Sequence, residues 1–172
     1  MDIYRAFGTE GESQKPLLIV PLRSDMQMPL HAVETPSEHF IILHSHKQDV
    51  VGETAQSRQK WKETFTVSKV TRDGRLVVRR FVPQNETQEL NHPCYLALDS
   101  DDRVFVADGE NERVILLNSD LNWIRSICWT KDENDAEISM PHRLCYDKVE
   151  KQLIVAGNID GEGVNIYSVD QK

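Results

Sequence analysis

The sequence predicts an all-β chain, a partial β-propeller of three to four four-stranded antiparallel blades. Three observations carry this. A proline, a short alternating strand, a turn and a second apolar strand occur three times: from Pro29, from Pro93 and from Pro141. Nearly every apolar run alternates or is a short β-branched block, and none keeps a helical period for three turns. Recurrence at roughly 40–50 residues marks radial or stacked repeats, because one unit cannot bury both of its faces alone. Propellers close with about 4–8 blades. A chain of 172 residues is therefore expected to be an arc, either part of a longer chain or completed by self-association or a partner.

Each element follows from local chemistry. Residues 1–16 are mostly polar and are expected to be a poorly ordered tail or the end of a preceding blade; the blades occupy 17–172. Leu17–Val20 and Phe40–Leu43 read as strands, with Pro21 and Pro36 as breakers. The first two repeat prolines are 64 residues apart and the next two 48, so the first interval holds an insertion. Its place is about 45–62, which is polar and lacks a sustained apolar pattern. Val67–Val70 and Leu76–Phe81 flank Asp73-Gly74, a pair suited to a type I′ hairpin turn. Arg103–Ala107, Arg113–Leu117 and Trp123–Cys128 follow as strands, then Arg143–Tyr146, Gln152–Ala156 and Val164–Val169.

Composition narrows the function classes. With 28 acidic and 20 basic residues the formal charge is −8, which disfavours a generic polyanion binder. No apolar run approaches the ~20 residues of a membrane helix, and Met1-Asp2-Ile3-Tyr4-Arg5 lacks a secretory pattern. Cys94, Cys128 and Cys145 are odd in number and show no CxxC spacing. They read as reduced thiols of an intracellular, cytoplasmic protein.

The middle unit carries a resemblance. Asn91-His92-Pro93, Leu96-Ala97-Leu98-Asp99, Asp101–Asp108 and Asn111-Glu112-Arg113-Val114 resemble the repeat of the NHL-type β-propellers almost position by position. Pro141, Leu144, Asp147 and Ile154-Val155-Ala156 are similar to it downstream, but Val164-Asn165 stands where the family has Arg-Val. Pro29–Pro36 keeps the proline and the alternation without the first aspartate. The layout resembles the C-terminal half of an NHL domain of tripartite-motif-like proteins. The resemblance implies a non-catalytic protein-interaction module, the substrate-recognition part of a ubiquitin-ligase-type adaptor. Ligase chemistry would then belong to an N-terminal RING or B-box part that this sequence does not contain. An RNA-binding face is the alternative it implies, and a lactonase- or lyase-type propeller enzyme the second.

Candidate residues fall into three sets. His31, Tyr95 and Arg143 share one offset, two after each repeat proline. Equivalent positions on successive blades lie around one face, so these three are the expected binding set for a protein partner. The basic stretch 58–80, in which Trp61 and Phe65 are interleaved, holds Arg72, Arg75, Arg79 and Arg80 and is suited to RNA. Asp108, Asn111 and Arg113 flank one tight connection and are expected to clamp its turn; Asp99 and Asp147 are expected to cap turns. No cofactor or metal is expected. His44-Ser45-His46 alternates as a strand would, but Leu30, Cys94 and His142 follow the three prolines, so only one copy matches the histidine that some lyase-type propellers use for zinc.

Overall fold

The structure, a computed structural model, describes residues 20–48, 62–128, 139–158 and 164–169. Eleven strands are placed among these residues, with two single-turn 3-10 helices at Glu86–Gln88 and Gly109–Asn111. The first sheet comprises β1 (Gln27–Glu34), β2 (His39–Gln48), β3 (Lys62–Thr71) and β4 (Val77–Arg80). The second comprises β5 (Pro93–Leu98), β6 (Val104–Asp108), β7 (Arg113–Leu117) and β8 (Trp123–Cys128). The third comprises β9 (Ser139–Asp147), β10 (Gln152–Asn158) and β11 (Asn165–Ser168). Every pairing is antiparallel, and within each sheet the strands are ordered as they occur in the chain. The chain is all-β.

Period-two alternation decides how the sheets stack. On β6, Val104 and Val106 face one core while Phe105 and Ala107 face another, so both sides of the second sheet are buried. The first core joins Ile41, Leu43 and Val67 of the first sheet to Leu96, Ile115 and Leu117 of the second. The second core joins Phe105, Val114 and Leu116 to Leu144, Leu153 and Val155 of the third sheet. Each large side chain so buried contributes about 1.5–3 kcal/mol. The far side of the first sheet (Phe40, Ile42 and Val70) is covered by Val20 and Met26 from the segment leading into β1. The third sheet's far side is different: Ile166 remains 57% exposed there and Val164 55%.

Repetition extends to backbone detail. The residues preceding the three repeat prolines, Met28, His92 and Met140, all have left-handed φ, at 41°, 47° and 51°. Glu38, Asp102 and Lys151, at the first turn of each sheet, do likewise at 59°, 59° and 54°. In each sheet the pairing of the first strand slips at the proline: between Pro29 and His31, between Pro93 and Tyr95, and between Ser139 and Arg143. Such bulges bend a strand and re-aim the side chain that follows. Strand β5 packs against both β1 and β9, so the three first strands adjoin one another.

β2 and β3 stay paired out to Gln48 and Lys62, so the ends of the span 45–62 are strand; the remainder, where the inserted loop is expected, lies outside the described residues. Ser45, Phe65 and Thr66 extend the alternation that polar neighbours hide in the sequence. The Asp73-Gly74 turn is not type I′, since only Gly74 has positive φ (71°). Gly74 N donates to Thr71 O at 2.8 Å, and Thr71 N to Leu76 O at 3.0 Å. The Asp73 carboxylate instead accepts from Thr71 Oγ1 and Arg75 N, which fixes a wider loop. Of the expected strand Leu17–Val20 only Val20 is described, and it is buried; the rest lies outside the described residues. The tail, 1–16, lies outside the described residues, as does any fourth strand of the third sheet.

Candidate functional site

The bulges bring His31, Tyr95 and Arg143 together. His31 lies against Tyr95 with ring centroids 3.8 Å apart and planes inclined by 32°. The Arg143 guanidinium carbon lies 5.3 Å from the centre of the Tyr95 ring, in cation–π range. Tyr95, on the middle strand, is thus bracketed by one neighbour from β1 and one from β9. The amide of Leu96 donates to His31 Nδ1 at 3.2 Å. An acceptor Nδ1 puts the proton of the neutral ring on Nε2. Burial, aided by the Arg143 charge, pushes the His31 pKa below its ordinary value, so the ring is neutral near pH 7. Arg143 donates to the carbonyl of His142 at 2.8 Å and is otherwise turned toward solvent. The ladder therefore presents a cation beside a half-buried aromatic pair.

Cys94 sits just inside this ladder. Its thiol donates to Pro141 O at 3.3 Å, and burial pushes its pKa up despite the nearby Arg143 charge. A raised thiol is a poor nucleophile at neutral pH. Cys94 and Cys145 are both free thiols.

Asp108, Asn111 and Arg113 form a compact hydrogen-bonded cluster. The Asp108 side chain is 0% exposed and that of Arg113 is 12% exposed, with Nε donating to Asp108 Oδ2 at 2.7 Å. Asn111 Nδ2 donates to the same oxygen at 2.8 Å, and Asn91 N donates to Oδ1 at 2.7 Å. Arg113 also donates to Thr87 O (2.6 Å) and Glu89 O (2.9 Å), and lies over Trp123. Burial raises the Asp108 pKa against the pull of these three donors. The cluster ties the β6–β7 connection to the segment entering β5. Asp99 and Asp147 each accept two amide bonds from the residues that follow, and Asp99 also holds Arg103.

The basic stretch is interleaved with acids that the linear sequence hides. Arg72 meets Glu34 at 3.1 Å, Arg75 meets Asp73 at 3.8 Å, Arg79 meets Asp120 at 3.6 Å and Arg80 meets Asp25 at 3.0 Å. Trp61 lies outside the described residues. His44 is a core histidine: Nδ1 donates to Ser45 O, and Nε2 accepts from Ser68 Oγ at 2.9 Å. Both His44 and Ser68 are 0% exposed, so no substrate reaches this serine–histidine pair. Among the described residues, no group of three His, Cys, Asp or Glu side chains is placed to hold a metal.

One cleft was not anticipated. Phe65, Leu90, Glu86, Glu89, Asn91 and His92 line a half-open space of about 360 Å³ between β3 and the segment entering β5. Its only linear signals are two glutamates three residues apart and an isolated aromatic, too common to single out.

No family model matches the chain, and no curated protein matches it. Among solved structures it is similar to the hydrazine synthase of Kuenenia stuttgartiensis, with a TM-score of 0.59 and 13% identity. The match takes in 85% of this chain and 46% of that one. At that identity the likeness concerns fold alone. The chain spans less than half the length of that structure.

Proposed function

We propose that this chain is a non-catalytic protein-interaction module: blades of an NHL-type β-propeller whose first-strand ends form a recognition face. One observation carries the proposal. Three residues at the same offset in three repeats, His31, Tyr95 and Arg143, stand in contact as a ladder. A half-buried aromatic beside an arginine is the composition of an interaction hot spot. Repeated bulges, repeated left-handed residues and adjoining first strands support the propeller geometry. In this reading the module recognises substrates for a ubiquitin-ligase-type adaptor whose catalytic part lies elsewhere, and the two free thiols suit a cytoplasmic setting.

RNA recognition fits less well. Tyr95 is bracketed by His31 and Arg143, which leaves little ring face for a base, and the candidate arginines are paired with acids. A lyase or lactonase reading needs convergent, accessible carboxylates or histidines, whereas His44 is enclosed. The test is quantitative affinity capture with the full chain and with Tyr95→Ala and Arg143→Ala, each verified as folded, alongside RNA crosslinking. The expected result is a defined protein set retained by the parent chain and depleted by both variants. Equal retention by all three removes the ladder as the recognition face, and strong crosslinking lost on Arg143→Ala replaces the protein reading with RNA.

A further inference from the structure

The ladder holds more hydrogen-bond donors than the fold supplies acceptors for. Arg72, Arg79, Arg80, Arg103 and Arg113 each meet a carboxylate, and Arg125 donates to the carbonyl of Val169. Arg143 is different. Its Nη1 donates to the carbonyl of the preceding residue, His142, and its guanidinium lies against the Tyr95 ring. Among the described residues no carboxylate pairs with it. The Nε–Nη2 edge is therefore open, and such an edge is a fork spaced for the two oxygens of one carboxylate.

The two rings beside it add donors and no anion. The Leu96 amide occupies His31 Nδ1, so Nε2 carries the proton. Among the described residues, neither that N–H nor the Tyr95 hydroxyl has a hydrogen-bond partner. The charge that acts on His31 is that of Arg143, with no acid opposing it. Asp108 is felt at the neighbouring Cys94, but Arg113, Asn111 and the Asn91 amide already hold it. One positive charge and two neutral donors are thus gathered about Tyr95, in a chain whose formal charge is −8. Leu96 and Leu144, the next residues along β5 and β9, are buried and fix the backbone from which Tyr95 and Arg143 project. The arrangement is formed before any ligand arrives.

Sign and number define that ligand. A single guanidinium balances a single negative charge. A phosphate group carries about −1.5 to −2 at neutral pH and calls for a cluster of arginines, whereas Arg72 and Arg80 are already paired with acids. We propose that the ladder recognises an acidic side chain, a glutamate or aspartate in an exposed segment of the partner protein, docked on the Nε–Nη2 edge of Arg143. The proposal rests on the ladder being the recognition face and names the chemistry that this face takes. A single contact of this kind is weak and gains strength from neighbouring contacts on the same segment.

The test is an NMR titration of the full chain with a blocked Gly-Glu-Gly peptide, its glutamine counterpart, triglycine with a free C-terminus, and inorganic phosphate. The glutamyl peptide is expected to shift the Arg143 Nε–H, Tyr95 and His31 resonances, and the glutamine peptide to leave them unmoved. Arg143→Gln is expected to weaken binding about tenfold, the lower end for a hydrogen bond to a charged group, with an unchanged melting temperature. Arg143→Lys, which keeps the charge without the fork, should fall between the parent and the glutamine variant. Equal shifts with the glutamine peptide overturn the proposal, as does tighter binding of phosphate or of the free C-terminus. An undiminished response in Arg143→Gln, or no response to any probe, overturns it too. If protein capture is still depleted by Tyr95→Ala and Arg143→Ala in that case, the ladder stands as a recognition face of other chemistry; equal capture by all three chains removes the face and this proposal together.

Discussion

Arg113→Ala removes the only cation that, among the described residues, is bonded to a carboxylate fully withdrawn from water. Asp108 is 0% exposed, and without Arg113 it keeps two neutral donors, the Asn91 amide and the Asn111 side chain. Removing one partner of a buried ion pair typically costs about 3–5 kcal/mol. The released carbonyls of Thr87 and Glu89 lie on an exposed segment and rebond to water, so they add little. With two donors remaining, we expect a loss near the lower bound, about 3 kcal/mol. That lowers the melting temperature by about 6–12 °C for a domain of this size.

The pH dependence supplies the discriminating readout. Burial already holds the folded-state pKa of Asp108 above its ordinary value, and loss of the guanidinium raises it further. A carboxyl raised in the folded state contributes stability that is present below its unfolded value, about 3.9, and lost as pH rises through the folded value. The variant's deficit must therefore be largest at neutral pH and shrink toward acid. Urea unfolding at several pH values measures it, and Asp108→Asn/Arg113→Ala should cost less than the sum of its single changes. A neutral-pH loss below about 1 kcal/mol, as for an exposed pair, would refute the argument. So would a deficit independent of pH.

Other expectations are independent of the clamp. His31 has a lowered folded-state pKa, so on acidification the unfolded chain takes up its proton first. Stability should fall as pH drops from the ordinary histidine value, about 6.5, to the lower folded value, and His31→Asn should flatten that part of the curve relative to the parent. Gly74→Ala places a Cβ 2.3 Å from Pro21 O at a φ of 71°; a loss of about 2 kcal/mol or more in urea unfolding is expected. Met28→Gly relieves a left-handed residue whose side chain is 60% exposed, and should raise stability by about 1 kcal/mol in the same assay.

Strand positions were legible because alternation and turn chemistry are local signals. Pro93–Leu98 and Val104–Asp108 show both, and the structure pairs them as one hairpin. The shared offset of His31, Tyr95 and Arg143 was also legible, since repetition fixes which positions are equivalent. Their contact was not, because it depends on bulges at the repeat prolines whose shift of register a proline alone does not specify. Pairing of Arg80 with Asp25 and of Arg79 with Asp120 joins residues 55 and 41 positions apart, so the basic stretch looked freer of acid in the linear sequence than it is. The Asp73-Gly74 turn was misread for a different reason. Its carboxylate bonds the surrounding backbone and hydroxyl, and that local bonding outweighs the dipeptide's hairpin preference.

The meander order within every sheet has a kinetic consequence. Among the described residues no strand must wait for a distant segment to thread between its neighbours, so each sheet pairs strands that are successive in the chain, which keeps the entropic cost of closure low. Low sequence separation favours rapid folding even in an all-β protein. The middle sheet, covered on both sides, should then be the last to exchange its amide hydrogens, with protection decaying outward along the row. Because each unit is contiguous in the chain, tandem duplication of one coding segment would lengthen the row without rerouting a single connection.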